Sequence, residues 1–256
     1  MNHSTVSILA LLLCLSGCAV SEKRSAAKSV AADPVAVDDD FTNVPVQRVN
    51  DPFERFNRTM FRFNDELTTY ALRPFAHGYA LIVPRPVRTG VSNFFDNLQY
   101  PVRFINSVLQ GKITRSAQET GKFVINSTAG IGGLIRVSDH VSSLADVPGE
   151  DFGLTLGFWG VSPGPFLVIP ALGPSDCRDL VGFAGDLAMQ PLNWHTFGVL
   201  NYAHSNTIGI ALSGTRYANG LPKAVESYDQ LKSEAVDPYI AIRDAYLSYR
   251  AAQMKK

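Results

Sequence analysis

Residues 160–164 have the G-x-S-x-G spacing of the turn that presents the nucleophile in α/β-hydrolases. The acidic and histidine partners of a catalytic triad follow in the right order, as Asp176, Asp179, Asp186, His195 and His204. In such a turn the residue after the serine donates its backbone N–H to the oxyanion hole, but here that residue is Pro163, which has no N–H. Losing one such donor raises the barrier by about 2.7–4 kcal/mol. The pattern disfavours a hydrolase, and a lipid hydrolase using Ser162 stays an alternative function.

The residue types that could bind a metal or a nucleotide lack the necessary spacing. The glycines of a dinucleotide-binding loop are incomplete, because Ile135 stands in the third position and no strand precedes them. The histidines show no paired metal spacing and have no C-x-x-C companion. They are His77, His140, His195 and His204. We therefore expect no metal, no cofactor and no catalytic residue, and we predict a protein that is not an enzyme.

The amino-terminal residues indicate where the protein acts. An apolar run over residues 8–15 leads into small residues and Cys18, which is the lipobox form of a secretory signal. In this form residues 1–17 are removed and the cysteine carries the lipid. Ala19 follows, whereas Asp at that position retains a lipoprotein in the inner membrane in the bacterial sorting pattern that this resembles. The prediction is a lipid-anchored protein in the periplasmic leaflet of the outer membrane of a Gram-negative bacterium.

The composition narrows the possible partners and the domain organisation. The chain has 23 basic and 23 acidic residues, so its charge gives no reason to expect nucleic acid as a partner. Beyond the signal and the lipidated cysteine only Cys177 remains, so no intramolecular disulfide is expected. Residues 18–50 lack any helical or strand period and are expected to form a flexible linker. We expect one helical domain over residues 51–256.

Apolar spacing predicts an almost entirely helical fold. A first helix begins at a capping box of Asp51, Pro52 and Glu54, carries an apolar stripe from Phe53 to Tyr70, and is expected to end at Arg73-Pro74. Convincing period-2 strands are almost absent. Further helices are predicted near residues 87–98, 102–109, 113–128, 180–187 and 194–212, and from a cap at Asp237-Pro238 onward.

Two long segments contain no charged residue, Phe152–Ser175 and Leu187–Thr215. Both are long enough to be considered as membrane spans, but prolines, glycines and polar side chains interrupt them at a density that lipid does not tolerate. In a soluble protein they would form a buried core. Beside a lipid anchor we favour contact with the bilayer in the plane of the membrane.

An ordered set of short motifs runs along the chain: Asp51-Pro52-Phe53-Glu54, Asn57-Arg58, Asn93-Phe94-Phe95, Asn97, Asn106, Leu109-Gln110-Gly111-Lys112, Asn126-Ser127-Thr128-Ala129-Gly130, Asp151-Phe152-Gly153, Thr155-Leu156-Gly157, Trp159-Gly160, Gly164-Pro165, Pro170, Gly173-Pro174-Ser175 and Arg178-Asp179. This set resembles the MlaA (VacJ) family of outer-membrane lipoproteins. Arg136 and Phe166 depart from the residues common in that family, and residues 192–234 offer no matching motif.

The resemblance implies an all-α fold, with amphipathic helices in a ring that lies in the membrane plane around a central channel. It also implies association with a trimeric porin. The implied activity is removal of mislocalised phospholipids from the outer leaflet through that channel, which maintains outer-membrane lipid asymmetry. The lipids would pass to a periplasmic phospholipid carrier of the Mla system for retrograde transport. An envelope-linking structural lipoprotein is the other alternative.

Two sets of residues are candidates for the site. The first set is expected to form a polar channel wall or hinge, and ordinary helix termination is the competing explanation for each member; it comprises Asn126, Ser127, Thr128, Gly130, Gly132 and Gly133. The second set is expected to contact the membrane and comprises Phe152, Phe158, Trp159, Phe166, Trp194 and Phe197.

Overall fold

The computed structural model describes residues 51–145, 147–190, 193 and 205–255. It begins with helix α1 (Glu54–Leu67), which a π-helical turn (Thr68–Leu72) joins directly to α2 (Arg73–Ile82). The predicted end at Arg73-Pro74 is therefore wrong. The N–H of Arg73 donates to the carbonyl of Thr68, five residues back, and this wider turn accommodates a proline that has no N–H and would crowd a regular α-turn.

Three further helices follow the predicted boundaries closely. They are α3 (Arg85–Leu98), α4 (Tyr100–Leu109) and α5 (Ile113–Thr128). The turn between α4 and α5 contains Gly111 at φ +70°, a backbone conformation that glycine adopts without strain. A glycine-rich turn after α5 leads into a short 3₁₀ helix (Val137–His140).

The first charge-free segment contains structure that the sequence pattern did not reveal. It starts with a short helix, α6 (Phe152–Phe158), and continues into an antiparallel hairpin of β1 (Phe166–Ile169) and β2 (Gly173–Asp176). Phe166 pairs with Asp176 and Ile169 pairs with Gly173. The strands have four residues each, which is too short for an alternation of apolar and polar residues to be recognised.

The remaining helices are α7 (Cys177–Met189), α8 (Ser205–Glu234) and α9 (Pro238–Met254). Asp237 caps α9 as predicted, because its carboxylate accepts the N–H groups of Tyr239 and Ile240. Only residues 205–212 of the predicted helix 194–212 lie in the described part, where they open α8. None of the described helices is at once long enough and apolar enough to cross a membrane.

The packing of consecutive elements closes a ring. Helix α1 packs on β1, β2 on α7, α7 on α4, and α4 on α3; α8 then contacts both α3 and α2, and the π turn leads from α2 back to α1. Helix α5 packs on α3 and α4, α6 lies between α4 and α7, and α9 contacts α6, α8 and β2. The prediction of a ring-shaped, all-α arrangement is confirmed, with the hairpin as its one β element in the described ranges.

Burial is inverted relative to an ordinary soluble domain. Among the described residues 9 hydrophobic residues are buried, against 16 polar or charged ones, and 29 large hydrophobic residues are exposed. Monomeric soluble proteins rarely leave so much apolar surface open unless it contacts a partner or a membrane. The residues buried between the elements of the ring are thus mostly polar, and many large apolar side chains lie on its surface.

Candidate functional site

The apolar stripe of α1 lies largely on the outer surface. Phe53, Phe56, Phe63 and Tyr70 are all exposed, at spacings of three and seven residues that place them on one face. Helix α2 continues this surface with Leu81, which is 89% exposed. The amphipathic pattern of the first helix was predicted correctly. Its apolar side, however, does not supply the main core contact.

An adjacent face of α1 fastens the hairpin through a fully buried amide. Asn57 Nδ2 donates to the carbonyl of Phe166 at 2.9 Å, and Asn57 Oδ1 accepts the N–H of Val168 at 2.9 Å. Two helical turns further on, Asn64 Nδ2 donates to the carbonyl of Ile169 at 2.9 Å, and its Oδ1 accepts the N–H of Ala171 at 2.7 Å. These two asparagines, seven residues apart, hold β1 and the hairpin turn against the helix.

Asp51 has a different role from the predicted helix cap. Helix α1 begins at Glu54 without a side-chain cap, and the Asp51 carboxylate instead accepts hydrogen bonds from Asn57 Nδ2 and the Tyr239 hydroxyl. The guanidinium of Arg58 stacks over the Tyr239 ring, with 4.5 Å from Cζ to the ring centroid. The expectation of a capping box was wrong because these long-range partners occupy the acid.

An apolar cavity of about 300 Å³ lies beside this junction. Its walls come from α1, the π turn, the hairpin, α8 and α9. Leu67, Leu72, Leu172, Ala224 and Ile242 contribute apolar surface, and further lining residues include Phe61, Asn64, Val168, Leu221, Val225 and Tyr228. Ala224 is itself exposed, so the cavity is open rather than sealed. Such a volume suits an aliphatic chain.

A second polar cluster joins α4, α6 and α7. Asn106 is fully buried; its Nδ2 donates to Asp186 Oδ1 at 3.1 Å and its Oδ1 accepts from the Thr155 hydroxyl at 2.8 Å. Asp186 Oδ1 also accepts the N–H of Phe152 at 2.9 Å. Burial raises the pKa of Asp186 to about 6, since the hydrogen bonds compensate only part of the lost hydration.

Helix α9 is tied to this cluster by ionic contacts. Arg250 donates to Asp151 at 2.7 Å and to Asp179 at 2.6 Å, and the Tyr246 hydroxyl donates to Asp179 at 2.5 Å. Burial opposes the charge of Arg250, but the two carboxylates outweigh it and raise its pKa. Burial and Asp179 together raise the pKa of Tyr246. The network positions helices and contains no activated nucleophile.

The predicted channel or hinge residues form a tightly bonded turn. Asn126 clamps the 3₁₀ helix, donating to the Ser138 hydroxyl at 3.0 Å and accepting its N–H at 2.9 Å. Ser127 Oγ accepts from Asn97 at 2.8 Å. Thr128 bonds back to its own helix. The glycines pack closely: a Cβ at Gly130 would lie 2.1 Å from the carbonyl of Ile135, and one at Gly133 would lie 2.6 Å from Cβ of Asn97, while Gly132 has φ +68°.

A second cavity, of about 340 Å³, lies at this end of α5, and Asn126 is the member of the predicted set that lines it. Asn126, Asn97 and Ser138 contribute to its lining, together with charged side chains. Ser127 and Thr128 are not among the residues that line it. A hinge role stays a prediction, and the hydrogen bonds in this turn equally suit an ordinary helix end.

The predicted membrane-contact residues divide into three groups. Phe158 and Trp159 are exposed and Phe152 is half-buried, with its ring packed edge-on against Trp159 at 6.0 Å between centroids. Phe166 is 4% exposed and packs in the core with Val168 and Tyr239, so its assignment to the membrane surface was wrong. Trp194 and Phe197 lie outside the described residues, as does the predicted lipid attachment residue Cys18.

The order of elements around Ser162 is the reverse of a nucleophile elbow. Helix α6 precedes this exposed residue and strand β1 follows it, whereas the elbow runs from strand to helix. The neighbouring Pro163 uses its carbonyl to accept the N–H of Arg178 at 3.2 Å. The two histidines that follow in triad order, His195 and His204, lie outside the described residues. The loop around Ser162 therefore connects a helix to a strand and lacks the strand-to-helix order of a catalytic turn.

No group of three or more His, Cys, Asp or Glu side chains in the described ranges is arranged to hold a metal ion. The acidic residues near one another are engaged by arginine, asparagine or backbone donors, as described above.

The family model of the MlaA lipoproteins matches residues 49–253. The chain belongs to the MlaA lipoprotein family. The intermembrane phospholipid transport system lipoprotein MlaA of Haemophilus influenzae is 32% identical over 82% of this chain and 80% of its own length. The protein of the same description in Escherichia coli K12 is 33% identical over 77% of this chain and 75% of its own. An uncharacterised Rickettsia conorii protein is 34% identical over 81% and 79%.

A solved structure from work on the structural basis for maintenance of bacterial outer membrane lipid asymmetry matches with a TM-score of 0.64. It is 33% identical, and the match covers 79% of this chain and 98% of that one.

Asn57, Asn106 and Thr155 belong to the sequence motifs that resemble the MlaA family. Their roles as buried clamps were not predicted. The signal that could have revealed these roles is the position of the asparagines on the less apolar side of amphipathic helices, with Asn57 and Asn64 seven residues apart.

Proposed function

We propose that this MlaA-family protein removes mislocalised phospholipids from the outer leaflet of the outer membrane and passes them to a periplasmic carrier, so that lipid asymmetry is maintained. The observation that carries the proposal is the inverted burial: among the described residues the buried ones are mostly polar, and 29 large hydrophobic residues are exposed. The names of its relatives, which describe intermembrane phospholipid transport, support the same function. In this proposal Cys18 anchors the chain in the periplasmic leaflet, a trimeric porin is its partner, and no bond is made or broken.

The energetic problem is the exposure of acyl chains to water. Two chains contain around thirty methylenes, and at about 0.8 kcal/mol each their transfer from membrane to water costs about 25 kcal/mol. A protein lowers this cost when it offers an apolar path for the chains and a polar path for the head group. The outer surface would keep the ring within the bilayer, and the cavity beside the hairpin would shelter an acyl chain.

The polar clamps have a part in this proposal. A passage through the ring needs walls that do not collapse when hydrocarbon enters, and fully bonded amides such as Asn57 and Asn106 resist collapse because each has several fixed partners. The hydrolase alternative gains nothing from the geometry. Ser162→Ala is therefore expected to leave phospholipid distribution unchanged.

The test is the outer-leaflet phospholipid content of cells that lack the gene and carry a plasmid-borne copy. We expect the wild-type copy to restore low outer-leaflet phospholipid, measured by surface acylation of lipid. Ala224→Trp, which adds bulk inside the apolar cavity, should fail to restore it. The matched control is Ala251→Trp, an equally exposed alanine on α9 outside the lining of that cavity, and it should restore asymmetry. Both variants should reach wild-type abundance.

Three outcomes would contradict the proposal. Unchanged outer-leaflet phospholipid on deletion would favour the envelope-linking alternative. Equal complementation by both tryptophan variants would show that phospholipid transport does not use the apolar cavity. Loss of complementation by Ser162→Ala would restore the enzyme hypothesis.

A further inference from the structure

The second cavity has polar walls with balanced charge. It lies between α3, α5 and the segment that follows them, and its lining includes three cationic and three anionic side chains, Arg103, Lys122, Arg136, Asp96, Glu119 and Asp139. A site for a simple anion or cation would carry an excess of the opposite sign. Balanced walls suit a ligand that carries both charges.

Glu119 is the least satisfied group in this cavity. Its side chain is 1% exposed, and its Oε2 accepts from Arg103 Nε at 2.7 Å. The other oxygen, Oε1, is buried and meets no donor among the residues that the structure describes. On its other side the Arg103 guanidinium donates from Nη1 to the carbonyl of Asp96 at 2.9 Å. A buried carboxylate oxygen without a donor is costly, and a cationic N–H donor would relieve that cost.

Lys122 supplies the opposite charge one helical turn away. It lies three residues after Glu119 on α5, so both side chains are on the same face and line the same cavity. The ammonium of Lys122 has three donors, and its one hydrogen bond within the described residues is long, 3.4 Å to the carbonyl of Val147. It can therefore turn toward a phosphate. Glu119 and Lys122 together present an acceptor for an ammonium and a donor for a phosphate.

A turn with exposed apolar side chains adjoins the cavity. Asn93, which lines the cavity, donates to the carbonyl of Leu134 at 3.1 Å and so fixes the turn after α5 beside it. That turn leaves Ile131, Leu134 and Ile135 exposed. A free, soluble zwitterion has no apolar part that such a border could contact. A lipid would place its head group in the polar cavity and its chains along this turn.

We propose that this cavity binds the head group of a phospholipid that carries a primary ammonium next to its phosphate, as phosphatidylethanolamine does. The ammonium donates to Glu119 Oε1, and the phosphate accepts from Lys122. This inference rests on the proposed function, because it assumes that phospholipids are what the protein carries.

The experiment measures which lipids the full-length, lipidated protein retains after extraction in detergent. The probes are phosphatidylethanolamine and phosphatidylglycerol with identical acyl chains, offered in equal amounts and quantified by mass spectrometry, and free phosphoethanolamine as a competitor. We expect a preference for phosphatidylethanolamine of about tenfold, the worth of one charge-assisted hydrogen bond. Glu119→Gln, which keeps an oxygen for Arg103, should reduce the preference to near parity.

Two further variants separate the roles. Lys122→Gln should lower retention of both lipids, because both have a phosphate. Glu66→Gln removes an exposed carboxylate on α1, far from this lining in the chain, and should keep the wild-type preference. Far-ultraviolet circular dichroism shows whether each variant folds, and the wild-type preference is a test that needs no variant.

Several results would overturn the inference. Equal retention of the two lipids by the wild type would exclude ammonium recognition while leaving phospholipid transport intact. An unchanged preference in Glu119→Gln would place recognition elsewhere. Displacement of the lipid by an equal concentration of free phosphoethanolamine would identify a soluble zwitterion as the ligand. Retention of neither lipid would overturn both this inference and the proposed function.

Discussion

The buried clamp at Asn57 is expected to be a main determinant of stability. Replacing it by alanine leaves the carbonyl of Phe166 and the N–H of Val168 without their amide partners, in a place that water cannot reach. Each unsatisfied buried group costs about 1–3 kcal/mol, so the free energy of unfolding should fall by about 2–6 kcal/mol. For a domain of this size that corresponds to a fall in Tm of about 4–24 °C.

The matched control for this variant is Asn64→Ala on the same face of α1. Asn64 also makes two backbone hydrogen bonds to the hairpin, but it is half-buried and its partner Ala171 is exposed, so water can replace the amide. We expect a loss of about 1 kcal/mol. Thermal unfolding in detergent, followed by far-ultraviolet circular dichroism, measures both. Equal losses in the two variants would refute the argument that burial of the partner groups decides the cost.

Three other perturbations test separate parts of the structure. Gly182→Ala would bring a Cβ to 2.4 Å from the backbone of the facing helix α6 and should lower the free energy of unfolding by about 1–3 kcal/mol. Gly220→Ala, with open space around it, should be neutral or stabilising. Unfolding curves of the two variants measure the difference. The pKa of Asp186 is raised in the folded state, so its contribution to stability is greatest at low pH and is lost as the pH rises through about 6. The Tm should therefore fall more between pH 5 and 7 in the wild type than in Asp186→Asn. Equal falls in the two proteins would count against this role of Asp186. In a Trp194→Phe background, brominated lipid should quench Trp159 fluorescence strongly, and efficient quenching by an aqueous quencher instead would place that surface outside the bilayer.

Much of the helical fold could be predicted because the determinants are local. Apolar spacing located α3, α4 and α5 to within a few residues, and the cap at Asp237 is a contact between neighbours in the chain. The π turn could not be predicted, since it depends on how the chain accommodates Pro74 while α2 packs on α8. The hairpin was missed because its strands are short and their fixing partner, Asn57, lies 109 residues away from Phe166.

The candidate site was predictable to a smaller extent, for a related reason. An apolar stripe in a sequence shows that a helix has two environments, but it does not show which of them is the protein interior. Phe166 was assigned to the membrane surface because it stands in a charge-free segment, and it is a core residue. Glu119 and Lys122 were not noticed at all. Their spacing is that of an ordinary helix, and only the packing of α3 and α5 closes a cavity over them.

The inverted burial changes which interactions hold the ring together. Where the outer surface is wetted by hydrocarbon, moving an apolar side chain from that surface to the interior brings little gain, because both places are apolar. Hydrogen bonds then carry the specificity, since a broken one has no water to replace it. This accounts for buried asparagines at four of the contacts between elements: Asn57 at the hairpin, Asn106 between α4 and α7, Asn126 at the 3₁₀ helix, and Asn219, which bonds Ser92 to join α8 to α3. A ring held by such bonds at its joints can keep an open interior, whereas a ring held by apolar contacts would gain free energy by closing it.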